Sequence, residues 1–399
     1  MDRTVKEIAA RNDVAAAQAW LARHDADVLG WQRAVAEIPA PTGDEERRAA
    51  FVAERFAALG LSAVRRDRAG NVLARFGEGP GPGVVLAAHL DTVFAAEIPH
   101  AVTAVDGRLV APGIADNARG LAALLAVAAA LPYAGAALRR PVTFVATTGE
   151  EGAGDLKGAK HLFEDPTFLP DAFIAVDGAG VDRVVHRALG SRRLRAEFRG
   201  PGGHSWAAFG VANPAHAAGL AVAAIAALPL PPTPRSAASV VRIGGGNSLN
   251  TIPQEGWLEL DLRSEDEATL EGLFAGASQA LGRALDTVNR QRTAGTPALT
   301  LELVPLGTRP SGATSPSHPL VQAAAAATRF VGRTPELAAA STDANVAIAR
   351  GIPGIALGAG GRGGDPHLPT EWYDNTGGPE GLVRLLLVTL AMGEAPAAR

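Results

Sequence analysis

The sequence places acids and histidines where they could do chemistry together. His89-Leu90-Asp91 closes the apolar run VVLAAH, Asp116-Asn117 precedes an Ala/Leu-rich stretch, and Glu150-Glu151 follows VTFVATT. Asp177 follows AFIAV, and His367 comes late in the chain. Carboxylates packed together repel one another and are costly to bury, and a divalent cation relieves both costs. The 399 residues contain no cysteine, so any metal must sit on His, Asp and Glu. In H-x-D the two side chains share one strand face, so His89 can bind metal while Asp91 accepts its other ring N–H. Neighbouring Glu150 and Glu151 point in different directions, so one can bind metal and the other hold a water. That division is what metal-assisted hydrolysis requires. Each piece has a plainer reading: H-x-D as a hydrogen-bonded pair, E-E as a solvated loop, Asp116 as a helix cap.

The segment GPGGHSWAAFG (200–210) raises a different chemistry. Its G-H-S-W-A core is one residue away from a nucleophile elbow, and Asp343 and His367 follow Ser205 in the order a serine triad needs. An elbow sits between a buried strand and a helix, whereas RRLRAEFRGPGG before Ser205 is charged and reads as half-exposed. Ser205 therefore reads as a bystander. A tight turn is the plain alternative for the whole segment.

The elements that must position these groups read as an α/β domain. Residues 1–60 are helical, with TGDEE (42–46) opening an amphipathic segment that stops at Gly60. Strands follow at 61–66, 71–76, 84–89, 142–148, 172–176 and 354–358, with a helix at 117–131. Buried strands alternating with helices predict a sheet covered on both faces, whose ligands bind beyond the carboxyl ends of the strands. Between about 190 and 307 the texture changes. A strand at 192–198, a helix from Pro214 capped by Asn213, strands at 239–243 and 257–263, a helix at 265–290 and a strand at 299–304 follow the ferredoxin-like order. The expected organisation is a discontinuous catalytic domain (1–189 and 308–399) with an inserted lid or dimerisation domain (190–307).

Composition narrows the partners. A net charge of −4 leaves no broad basic surface, which argues against nucleic acid. The charged N-terminus lacks the apolar centre of a signal peptide, and the apolar runs at 120–132 and 220–230 are too short to span a bilayer. The expectation is a cytoplasmic protein with no membrane partner.

The order H-x-D, D-N, E-E, D and a late H closely resembles the dinuclear zinc family of carboxypeptidase G, peptidase T, succinyl-diaminopimelate desuccinylase and acetylornithine deacetylase. The motifs that carry it span nearly the whole chain: AHLDTVF (88–94), APGIADNARG (111–120), TTGEEGAGDLKGAKHL (147–162), AVDG (175–178), GPGGHSWAAFG (200–210), NTIP (250–253), DLRS (261–264), STDAN (341–345) and HLPTEW (367–372). The resemblance implies a zinc-exopeptidase-like catalytic domain, with a mixed sheet flanked by helices, and an inserted α+β ferredoxin-like domain. It implies that His89 and Asp177 hold one metal, Glu151 and His367 the other, and that Asp116 bridges both, with Asp177 standing where members have Asp or Glu. It further implies Glu150 as general base, Asp91 as the residue that orients His89, and a cis Asp116–Asn117 peptide. His204 matches the histidine that binds the oxyanion, in many members from the partner subunit. Asn250 and Arg263 match positions that bind a substrate carboxylate, although Arg263 also reads as a surface arginine. Asp343 is an N-cap signal, and the remaining histidines read as surface or satisfied core.

The implied activity is amide hydrolysis in short peptides by an exopeptidase with two divalent ions, zinc first, with cobalt and manganese also suited. The alternatives are an N-acyl-amino-acid deacylase or carboxypeptidase of the same family and, more remotely, a serine hydrolase using Ser205. A homodimer through the inserted domain is also implied.

Overall fold

A computed structural model describes residues 1–395, which form two compact units: Met1–Ala188 together with Ala313 onward, and Leu189–Gly312. The second unit extends past residue 307 because its last strand, Thr300–Arg309, is five residues longer at its C-terminal end than LTLELV suggests.

The first unit is built on a nine-stranded mixed sheet. Its centre is four parallel strands in the order Val142–Thr147, Val84–His89, Ala172–Val176, Gly354–Leu357. Antiparallel strands flank them, Val72–Phe76 on one side and Arg183–Ala188 on the other. Both faces are covered, which is why these strands read as unbroken apolar runs. Val84, Leu86 and Ala88 face a core shared with helices Glu46–Ala58, Ala118–Ala134 and Gly378–Gly393, while Val85 and Ala87 face a second core with Lys157–Leu162 and Ala344–Ala349.

The helix Ala118–Ala134, continued by a turn to Ala137, is long and apolar enough to cross a bilayer, which corrects the shorter reading of this run. It passes through Pro132, where the sequence suggested a stop, and Leu121 through Ala128 are fully buried in the first core. Strands Arg183–Ala188 and Glu336–Ala340 pair in parallel, and neither was expected. A separate small sheet, ordered Arg362–Gly364, Trp372–Asp374, Arg108–Val110, Thr103–Val105, holds both ends of the loop that carries His367.

The second unit has the ferredoxin-like order and pairing. Strands Gly190–Arg199, Ser236–Gly245, Glu255–Ser264 and Thr300–Arg309 form one antiparallel sheet, with the first and third in the middle. Helices Pro214–Ala226 and Glu267–Gln291 bury Ala217, Ala221, Leu270, Ala277 and Leu281 against Leu194, Phe198, Leu258 and Leu260. Asn213 caps the first of these helices, accepting the N–H of Ala215, with Pro214 next in the chain.

Candidate metal centre

Three of the four parallel strands deliver site residues from their carboxyl ends. His89 ends its strand, Glu150 and Glu151 follow Thr147 by a short turn, and Asp177 follows Val176. The Asp116–Asn117 peptide is cis, as expected, and it opens the Ala118–Ala134 helix. The cap of that helix is Asn117 and not Asp116. Asn117 Oδ1 accepts the N–H groups of Gly120 and Gly178, and its Nδ2 donates to the Val176 carbonyl. Asn117 therefore ties the helix to the strand end that carries Asp177, and leaves the Asp116 carboxylate for other contacts.

Asp116 presents one oxygen to each of two histidines. Its Oδ1 lies 2.9 Å from His89 Nε2, and its Oδ2 lies 3.6 Å from His367 Nε2. Asp177 Oδ1 is 3.8 Å from His89 Nε2, and Glu151 Oε1 is 3.1 Å from His367 Nε2. Two donor groups result, His89–Asp116–Asp177 and Asp116–Glu151–His367, each with ligand atoms within 4.8 Å of one another. Glu150 joins His89 and Glu151 in a third such group. His367 has a φ of 65°, a left-handed backbone that a residue with a side chain holds only where its surroundings fix it.

The carboxylates and imidazoles of the site shift one another strongly. Burial raises the Asp177 carboxyl, helped by the charges of Asp116 and Glu151. Burial would raise Asp116 too, but His367 and His89 hold it far below the usual carboxylate range. His89 is buried, which disfavours its charge, yet bonds to Asp116, Asp177 and Asp91 raise it well above an ordinary imidazole. His367 is pushed up to about 10 by Asp116 and Glu151. Two imidazoles and three carboxylates, with one carboxylate shared, match the donor chemistry of two divalent ions in a site without sulfur.

Asp91 is fully buried but does more than orient His89. The nearest acceptor to His89 Nδ1 is the Asp91 main-chain carbonyl at 3.0 Å, with Oδ1 at 3.5 Å. The Asp91 carboxylate accepts the main-chain N–H groups of Glu150 and Glu151, each at 2.9 Å, and the Thr42 hydroxyl at 2.8 Å. It therefore fixes the backbone that carries both glutamates, whose carboxylates lie within 4.8 Å of each other and of His89.

Sequence reasoning missed three supports. Glu371, 1% exposed, accepts the N–H groups of Ala115 and Asp116 through one oxygen, each at 2.8 Å. Its place four residues after His367, within HLPTEW, was the available signal. Arg48 is buried and donates to the Leu90 carbonyl between His89 and Asp91. Asp343 makes no side-chain cap bond, contrary to expectation. It is buried, it accepts the Thr147 hydroxyl at 2.5 Å, and burial pushes it up to about 6.

In the second unit, His204 and Asn250 come together. His204 pairs with Thr251 in a two-stranded ribbon, and the Asn250 carbonyl accepts the Ser205 N–H. His204 Nδ1 accepts the main-chain N–H groups of Trp206 and Ala207, so the neutral ring carries its proton on Nε2. Arg263 lies apart from this pair, far along the Glu255–Ser264 strand, with its guanidinium on Asp261 at 2.8 and 3.0 Å. That pairing fits the surface-arginine reading.

His89 at a strand end and His367 in a loop flank one carboxylate, a donor set suited to divalent metal ions. The profile of Peptidase family M20/M25/M40 matches residues 85–390, and the chain belongs to that family. It is 28% identical over 236 residues to a succinyl-diaminopimelate desuccinylase of Corynebacterium glutamicum, covering 57% of this chain and 63% of that protein. It is 36% identical over 166 residues to a [LysW]-lysine/[LysW]-ornithine hydrolase, so named provisionally, of Thermococcus kodakarensis, covering 42% and 43%. The chain thus matches less than two thirds of the length of either relative. Among solved structures, a tripeptidase of Staphylococcus aureus superposes with a TM-score of 0.75 at 21% identity, covering 92% of this chain and 98% of that one, a likeness of fold.

Proposed function

We propose that the protein hydrolyses an amide bond at one end of a short peptide, as a metal-dependent exopeptidase. The observation that carries this reading is Asp116, whose two oxygens face His89 and His367 separately. His89 and Asp177 would hold one divalent ion and Glu151 and His367 the other, with Asp116 common to both. When bound, such ions polarise the scissile carbonyl and acidify the attacking water, chemistry that zinc, cobalt or manganese can supply.

Glu150, 5% exposed beside Glu151, takes the water's proton on its carboxylate and delivers it to the leaving amine. Asp91 holds the backbone of both glutamates through their main-chain amides. His204 matches the oxyanion-binding histidine of similar enzymes, and with Nδ1 occupied by two N–H groups its Nε2–H would be the donor that role needs. Asn250, just before the ribbon, matches a position that binds a substrate carboxylate in similar enzymes and would offer a polar contact there. A second copy is the partner that the exposed edge strand Ser236–Gly245 suits, with Val241 and Ile243 both more than half exposed.

Relatives named for a desuccinylase and a tripeptidase favour two substrate classes, N-acyl amino acids and short peptides. The stretch GEEGAGDLKGAKHL tips the choice toward peptides, with the deacylase as the second reading. Mass spectrometry of a tripeptide and its N-acetylated twin, each incubated with zinc-loaded protein, separates them. Loss of the first residue from the free tripeptide alone supports the exopeptidase. C-terminal trimming of the blocked twin makes the exopeptidase a carboxypeptidase and not an aminopeptidase, and loss of the acetyl group replaces it with the deacylase.

A further inference from the structure

Among the described residues, the three most exposed large apolar side chains belong to two adjoining turns of the second unit. Trp206 and Phe209 are each 87% exposed, and Leu249 is fully exposed. Single apolar residues on a surface need no explanation, but two aromatic rings and a leucine on joined turns form a patch of the kind that binds something.

The backbone ties the two turns together and gives them a fixed shape. The Ser205 N–H donates to the Asn250 carbonyl at 2.8 Å, one residue from Trp206 on one turn and one residue from Leu249 on the other. The Ala208 N–H donates to the His204 carbonyl, and the Phe209 N–H to that of Trp206. This single helical turn sets Trp206 and Phe209, three residues apart, on one side. The Thr293 N–H closes the far end on the Gly210 carbonyl at 2.8 Å. A Cβ at Gly203 would come within 2.6 Å of the Ala208 side chain, so the turn folds back tightly on the ribbon that carries His204.

His204 is part of the same fixed piece. Its Nδ1 accepts the main-chain N–H of Trp206 at 3.2 Å and of Ala207 at 3.3 Å, which locks the imidazole to the backbone that carries the indole. Asn250, whose Oδ1 accepts the Ser248 hydroxyl, supplies a carboxamide beside it. Apolar rings around a few oriented polar groups are the make-up of a small-molecule subsite. If His204 reaches a scissile carbonyl, the side chains two and five residues after it arrive at the groups flanking that carbonyl.

Building on the hydrolytic reading above, we propose that Trp206, Phe209 and Leu249 form an apolar subsite that receives a bulky uncharged side chain of the substrate next to the scissile bond. The substrate class is then a short peptide or N-acyl amino acid with an aromatic or branched aliphatic residue at that bond. Trp206 and Phe209 are its specificity-determining residues.

The test compares kcat/KM on the metal-loaded protein for pairs that differ in one side chain: Phe-Ala-Ala with Gly-Ala-Ala, Ala-Phe-Ala with Ala-Gly-Ala, Ala-Ala-Phe with Ala-Ala-Gly, and N-acetyl-phenylalanine with N-acetylglycine. We expect at least one phenylalanine substrate to exceed its glycine partner by about tenfold or more, and the pair that does so gives the position. In Trp206→Ala with Phe209→Ala that ratio should collapse toward one, and Trp206→Phe should keep part of it. The ratio is taken within one preparation, so a partly unfolded variant does not distort it. Equal rates in every pair would overturn the inference and leave the hydrolase standing, as would a preference that survives the double substitution. A changed sedimentation rate in that variant with the preference intact would overturn it too, and would assign the patch to a second copy of the chain. No cleavage of any substrate by the unaltered protein would instead overturn the hydrolytic reading, and this inference with it.

Discussion

The carboxylate of Asp91 holds the main-chain N–H of Glu151 at 2.9 Å, and its other oxygen holds that of Glu150 at the same distance. One buried acid thus sets the direction of both the expected metal ligand and the expected proton carrier. Asp91→Ala should lower metal retention or turnover by about 10–100-fold, as loss of a ligand's hydrogen-bonding support typically does. Metal content after gel filtration and kcat on the same sample check this. A variant with both unchanged would show that the turn holds itself.

Metal loading should release protons. His367 is pushed up to about 10 and His89 well above the usual imidazole, so both rings are charged at neutral pH in the metal-free protein. Ligation uses the neutral ring, so loading at pH 7 should release on the order of two protons per chain. Calorimetry in buffers of different ionisation enthalpy measures the number, and a value of zero would contradict the charge state. The same shift has a stability consequence with a definite sign. The folded value of His367 lies above the unfolded one near 6.5, so its stabilising effect on the metal-free protein is complete below about pH 6.5 and is lost as the pH rises through about 10. Melting temperature of the metal-free protein should fall across that window.

Glu371 should matter without being a ligand. Glu371→Ala leaves the N–H groups of Ala115 and Asp116 without their acceptor, at a cost of about 1–3 kcal/mol, and frees the carboxylate that faces both histidines. The expected result is a lower melting temperature together with faster metal loss on dialysis. Glu371→Gln keeps an acceptor oxygen and should retain more of both. Equal metal retention in all three proteins would reduce Glu371 to a structural role.

The serine alternative makes the opposite forecast. Chelation should abolish turnover and added zinc should restore it, while Ser205→Ala should turn over substrate as before. Activity that survives chelation and disappears with Ser205 would replace the mechanism outright.

The central strands and most of the site were legible because both depend on local signals. VVLAAH, VTFVATT and AFIAV are buried on both faces, so their apolar runs and the polar residues at their ends stand out. The strand Glu336–Ala340 was not legible: ELAAA has a helix former's composition, and only its parallel pairing with Arg183–Ala188 makes it a strand. The strands of the small sheet around His367 are three residues long, too short to show a period. Asp343 was misread because its partner, Thr147, is 196 residues away, while the local pattern spells a helix cap. Glu371 was passed over for the same reason: one acid in a loop says nothing of the two main-chain amides it meets more than 250 residues earlier.

The central claim is that Glu150 moves the proton while other residues hold the metals. The direct measurement is zinc stoichiometry and turnover of Glu150→Gln on the same preparation. The account predicts two zinc ions per chain, as in the unaltered protein, with kcat lower by at least about a hundredfold. Turnover at the original rate, with the metals in place, would contradict it.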